Sequence, residues 1–233
     1  NFDNEYLIFT IGDYSSEYYP PAAQDEKSLY GKIILLNKID KSFKIISSGL
    51  RNPQGLYYNK DYQYILSTDH GPDGGDEINY QSLKNDELIN YGWPKSSYGV
   101  HYTSTIKRAE KDNKLLLLEK GSPLHKSHKK YGFREPLRYF SPSIGISQII
   151  KIPKKMNSSF ENDFLVGALG NVVLEGDLTL HHYRFDKNFS KILFEDKIVL
   201  NERVRDLFYS NNRNSLILLL GTTPSIAELK ILN

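Results

Sequence analysis

Residues 69–79 read DHGPDGGDEIN, which sets the carboxylates of Asp69, Asp73, Asp76 and Glu77 among Gly71, Pro72, Gly74 and Gly75. A hard divalent cation takes carboxylate and exposed carbonyl oxygens as ligands, and Gly and Pro let a chain fold its carbonyls inward. Calcium is therefore one reading. The acids do not alternate as in an EF-hand loop, and no helical pattern flanks them. The other reading is a polar turn between two strands, with Asp and Gly present for turn geometry. Taken alone, the stretch leaves both open.

Cationic groups offer a second kind of chemistry. Arg51 and Asn52 lie in GLRNPQGL (49–56), and Arg203 and Arg205 lie in ERVRD (202–206). Alternate residues of a strand share a face, so Arg203 and Arg205 could both reach one anionic ligand. A salt-bridged turn and a polar strand face explain the same residues without a ligand. The chain contains no cysteine, which excludes disulfides, thiolate metal sites and cysteine nucleophiles.

The elements that must position these groups read as strands. Short β-type runs begin at EYLIFTI (5–11), GKIILL (31–36), FKIIS (43–47) and YQYILST (62–68). They continue at IGISQIIKI from 144, DFLVGAL from 163, TLHHYRF from 179, KILFEDKIVL from 191, VRDLFYS from 204, SLILLLGT from 215 and IAELKI from 226. With 17 Tyr and 11 Phe, the composition suits pleated, half-buried surfaces. The pattern predicts an all-β sandwich, barrel or propeller, and periodicity does not choose among them. The stretch from about 95 to 136 breaks the rhythm as a long loop, with a short helix or a charged loop across 106–120.

At 233 residues and 39% hydrophobic, one domain spanning 1–233 is expected. Thirty Lys and Arg against 28 Asp and Glu give a net charge of +2 without a basic block, so nucleic acid is not an expected partner. No apolar run approaches the ~18 residues of a membrane span.

The strings do not stand singly. TIGD (10–13), AQD (23–25), YGKI (30–33), RNPQG, DHGPDGGDE, NYGWP (90–94), YFSPSIGIS (139–147) and ERVRD follow one another along nearly the whole chain. In that order the sequence closely resembles the soluble PQQ-dependent glucose/sorbosone dehydrogenase family, which includes the aldose sugar dehydrogenases. The resemblance implies a six-bladed β-propeller, of which this chain would supply about the C-terminal two-thirds as consecutive four-stranded antiparallel blades. It implies PQQ and calcium as cofactors, a sugar substrate oxidised at its anomeric carbon to the lactone, and an external electron acceptor. A periplasmic or secreted location is implied, and a homodimer is left open.

Residue by residue, the backbone carbonyls of Gly71 and Pro72 would hold the calcium that sits on the quinone. Asp76 and Glu77, with the backbone of Tyr91, match ligands of a second, structural calcium. Arg51 and Asn52 match the cofactor-binding pair, Arg51 also stabilising charge on the reduced ring; Arg203, Arg205 and Ser143 match further cofactor contacts. Gln24 matches a position at the substrate and cofactor. Asp13 matches the carboxylate that orients the histidine base.

Two departures accompany the match. The family's base precedes the TIGD-like string by more residues than this chain has there, and none of His70, His101, His125, His128, His181 or His182 takes its place. His70 is expected in the metal loop and the others on exposed loops or strand faces. Where the family carries a cofactor-binding lysine, Gly170 and Asn171 follow Leu169. The competing readings are a calcium-stabilised propeller that binds a carbohydrate or protein without oxidising it, and a sugar-lactone hydrolase. The latter leaves RNPQG and ERVRD without a purpose.

Overall fold

The computed structural model describes residues 5–15, 17–170 and 172–231. Its strands are β1 (Tyr6–Ile11), β2 (Lys32–Asn37), β3 (Phe43–Ser48), β4 (Pro53–Asn59), β5 (Tyr64–Asp69), β6 (Asp76–Ser82), β7 (Ile89–Asn90) and β8 (Arg138–Phe140). They continue with β9 (Ile146–Lys151), β10 (Asp163–Ala168), β11 (Thr179–Phe185), β12 (Ile192–Val199), β13 (Val204–Ser210), β14 (Ser215–Leu220) and β15 (Ser225–Leu229). Two short helices, α1 (Thr103–Lys111) and α2 (Leu115–Gly121), lie between β7 and β8. Every β-type run read from the sequence forms a strand. The all-β expectation holds, with few helices, and no described helix is long and apolar enough to cross a membrane.

The strands form sheets β1-β2-β3-β7, β4-β5-β6-β8, β12-β11-β10-β9 and β13-β14-β15. Three have four strands and the last has three. Pairing is antiparallel except that β7 runs parallel to β3, so the expectation of uniformly antiparallel four-stranded sheets needs correction. β7 is only two residues long; it pairs through Ser47 with Ile89 and Ser48 with Asn90.

The chain divides into two compact units, one of residues 1–54 and 58–143, the other of 55–57 and 144–233. The second holds an apolar core of Ile152, Leu165, Leu180, Val204, Leu207 and Leu216, contributed by β10, β11, β13, β14 and the turn after β9. Burial of each such side chain stabilises by roughly 1.5–3 kcal/mol. All six residues of β10 are buried, as a strand covered on both faces must be, whereas β12 at the sheet edge is largely exposed and carries Glu195, Asp196 and Lys197. Charges on an edge discourage further pairing. Asp163, fully buried, accepts from His182 Nε2 at 2.6 Å and Arg184 Nε at 2.5 Å.

The 95–136 segment is not a plain loop. Its helical pattern resolves into α1 and α2, separated at Asn113, whose φ of 54° cannot continue a helix. Two histidines expected on exposed loops or strand faces are buried: His128 is 1% exposed, and His181 is also 1% exposed with its Nε2 2.7 Å from the Gly176 carbonyl.

Candidate functional site

The acidic stretch that opened the question is split between two strands and a turn. Asp69 ends β5, residues 70–75 turn, and Asp76 and Glu77 begin β6, with Asp69 opposite Glu77 in register. The turn needs its glycines: Gly74 and Gly75 have φ of 84° and 76°, and a Cβ on Gly71 would lie 2.3 Å from the Gly74 carbonyl oxygen. Only a residue without a side chain fits such a close backbone approach.

Asp69 turns back onto the RNPQG string. Its Oδ2 accepts the Arg51 amide at 2.9 Å and its Oδ1 the Asn52 amide at 2.6 Å. Burial pushes its carboxyl well above the usual range, against the pull of those two amides and the Arg51 charge and with the added push of Glu77. The result is a fixed backbone from which the Arg51 side chain reaches the turn. Its Nη1 donates to the Gly71 carbonyl at 2.8 Å and lies 3.4 Å from that of His70. The guanidinium carbon sits 5.4 Å from the Trp93 ring centre and 5.6 Å from that of Tyr102, within cation–π range. Arg51 Nε is buried without a partner.

The neighbouring carbonyl, Pro72, faces the Tyr102 hydroxyl at 3.2 Å and Ser143 Oγ at 3.4 Å. Ser143 Oγ also donates to Asp76 Oδ1 at 2.9 Å, and the same oxygen accepts the Gly71 amide at 3.0 Å. Asp76 thus closes the turn on itself.

Asp13 joins the cluster through Trp93. The indole Nε1 donates to Asp13 Oδ2 at 2.6 Å and the Ser15 amide to Oδ1 at 2.9 Å. Burial raises the Asp13 carboxyl, while Trp93, Ser15 and the Arg51 charge oppose it. Gln24 lies in a short 3-10 turn (Ala22–Gln24), and its amide pairs with that of Asn90, Asn90 Nδ2 donating to Gln24 Oε1 at 2.8 Å. Gln24 Nε2 donates to the Trp93 carbonyl at 2.6 Å. Beneath this turn, buried Lys32 donates through Nζ to the carbonyls of Ala22, Ala23 and Tyr30, and burial lowers its pKa to about 8.

Arg51, Asn52, Gly71, Pro72, Asp13, Gln24 and Ser143 therefore come together in the first unit. Asn52 Oδ1 accepts from Gln54 Nε2 at 2.9 Å. Arg203 and Arg205 belong to the second unit. The expected alternation of the pair is interrupted, because the β13–β14 register shifts between Val204 and Asp206. Such a bulge re-aims side chains. Arg203 Nε is buried without a partner, and Arg205 is exposed. At the departure after Leu169, a Cβ on Gly170 would fall 2.0 Å from the Asp177 carboxyl carbon, so a side chain there would require Asp177 to move aside; Asn171 lies outside the described residues.

Sequence reasoning named Asp69 only as one of four possible metal carboxylates and did not single out Trp93 or Tyr102, although Trp93 falls inside a quoted string. Their contacts join residues 17 to 80 positions apart, which local pattern does not reveal.

Residues 1–223 match the family described as Glucose / Sorbosone dehydrogenase. Aldose sugar dehydrogenase YliI of Escherichia coli (strain K12) is 28% identical over 182 residues, which is 72% of this chain and 43% of that protein. The chain thus spans less than half the length of this curated relative. A crystal structure of a glucose dehydrogenase superposes with a TM-score of 0.72 at 25% identity, over 98% of this chain and 61% of that one. The holo PQQ domain of pyranose dehydrogenase from Coprinopsis cinerea shares the fold at a TM-score of 0.66 and 10% identity, over 97% and 67% of the two chains. With a match across almost its full length, the chain belongs to the glucose/sorbosone dehydrogenase family.

Proposed function

We propose that the protein carrying this chain oxidises an aldose at its anomeric carbon to the lactone, with PQQ and calcium as cofactors and an external acceptor for the electrons. In this reading the fold is a six-bladed propeller, working in the periplasm or outside the cell. The observation that carries it is Arg51: a guanidinium held by its backbone, packed on two aromatic rings, with a buried Nε left over beside paired carbonyls. A buried cationic donor without a partner is costly, and an anionic ligand would satisfy it.

The residues present fit that cofactor. PQQ supplies, when bound, an ortho-quinone that takes up the two electrons and the hydrogen leaving the anomeric carbon as hydride. Arg51 offers a charged hydrogen bond where negative charge develops on reduction. The carbonyls of Gly71 and Pro72 are neighbouring hard oxygen donors of the kind a calcium ion takes. Arg203 and Arg205 would meet the cofactor's carboxylates, and Asn52 and Ser143 would add polar contacts. Asp13, fixed by Trp93 and Ser15, would hold a histidine base in the right tautomer, and that base takes the proton of the sugar hydroxyl.

Supplied with PQQ and calcium, the full-length protein is expected to oxidise at least one aldose using an artificial dye, and to do so only when PQQ is present. Dye reduction that is indifferent to PQQ, or absent for every aldose offered, counts against this function.

The non-catalytic propeller remains as a second reading because of Gly170. Gly170 and Asn171 stand where the family has its lysine, and the Asp177 carboxyl lies where a side chain on Gly170 would begin. Carbohydrate binding without turnover would then be the observed activity.

A further inference from the structure

The second, structural calcium is assigned by resemblance to Asp76, Glu77 and the backbone of Tyr91, and these residues do not fit it. Successive residues of a strand point to opposite faces. Asp76 and Glu77 are consecutive in β6, paired with Phe140 and Tyr139 respectively. Asp76 is occupied by the Gly71 amide and Ser143, as described. Among the described residues, no three His, Cys, Asp or Glu side chains gather as a metal site.

A side chain stands at Glu77 instead. His128 is 1% exposed, and its Nε2 lies 3.1 Å from Glu77 Oε1. Nε2 faces the carboxylate at ion-pair distance, with a geometry short of an aligned hydrogen bond. The Tyr91 backbone also faces the ring, and Glu135 adds its charge from nearby. The neighbouring backbone is shaped to the imidazole: a Cβ on Gly92 would lie 2.8 Å from Nδ1. Tyr98 packs against it, its ring centre 5.1 Å away, and the chain holds the histidine in place through bonds from the Tyr131 and Phe133 amides to its carbonyl. The space left among Arg51, Gly71, Glu77, Tyr91 and His128 is about 10 Å³. Its wall carries the Asp69 and Glu77 carboxylates, but also the Arg51 guanidinium and the His128 imidazole, which offer a calcium ion no oxygen ligand.

We infer that the imidazole of His128 fills the position of the second calcium, so that Glu77 and the Tyr91 backbone are served by a side chain and bind no metal. The inference is independent of whether the protein oxidises a sugar, and it leaves the calcium proposed at Gly71 and Pro72 untouched.

Equilibrium dialysis against calcium, on the purified protein without PQQ, tests it. Glu77→Gln is expected to bind the same number of calcium ions per chain as the wild type. His128→Ala is expected to gain one, and the double variant His128→Ala/Glu77→Gln to lose it again. Loss of one calcium on Glu77→Gln alone would overturn the inference, and so would a folded His128→Ala that gains none. If His128→Ala does not fold, the Glu77→Gln comparison decides by itself.

Discussion

Arg51→Ala is expected to lower dye-linked sugar oxidation by about 10²–10³-fold, the scale on which removal of one charge-stabilising donor acts on turnover. Three features make this position more sensitive than an ordinary surface arginine. Its backbone is fixed by Asp69, its guanidinium lies within cation–π range of Trp93 and Tyr102, and its Nη1 already points at the Gly71 carbonyl. Arg51→Lys keeps the charge but loses the planar fork, so it should recover only a small part of the loss. The variant's circular dichroism should stay near the wild type, because the backbone bonds to Asp69 do not use the side chain, while its melting temperature falls modestly with the loss of the bond to Gly71 and of the charge beside Asp69 and Asp13. A turnover within about threefold of wild type would remove Arg51 from the proposed chemistry.

Asp69→Ala should act on stability instead. The carboxylate satisfies the amides of Arg51 and Asn52 in a site where it is itself only 4% exposed. Each buried N–H left without an acceptor costs about 1–3 kcal/mol. Removing the acid also relieves its own desolvation, which burial makes substantial. Two orphaned amides outweigh that relief, since the turn above them is closed by Asp76 and Gly71 and admits little water. A net loss of about 3 kcal/mol follows, on the order of 10 °C in melting temperature for a chain of this size. Denaturant melts of the two proteins read the difference directly; equal midpoints would show that the amides find other partners.

The fold was largely legible because most strands announce themselves by apolar, β-branched and aromatic runs. Those that did not have particular causes. β6 begins with Asp76 and Glu77, and its charges resemble a continuing metal loop until the pairing with β5 and β8 is seen. β4 opens on Pro53 and contains Gly55, both poor strand signals, and β7 and β8 have two and three residues. In the candidate site, Arg51 and Asn52 of RNPQG were reached through the family resemblance, because the string by itself reads equally as a salt-bridged turn. The site was not legible at His128. A basic, polar neighbourhood, HKSHKKYGF, looks solvated, and only the long-range approach of Glu77 and Tyr98 shows why this one histidine is drawn inside.

The central claim is that Arg51 and the paired carbonyls of Gly71 and Pro72 belong to a PQQ site. Titration of the full-length protein with PQQ in the presence of calcium, followed by the absorbance of the quinone, tests it most directly. The account predicts saturable binding at micromolar concentrations or below, weakened at least about tenfold by Arg51→Ala, as loss of a charged hydrogen bond implies. No absorbance change at micromolar PQQ, or binding that Arg51→Ala leaves intact, would contradict it.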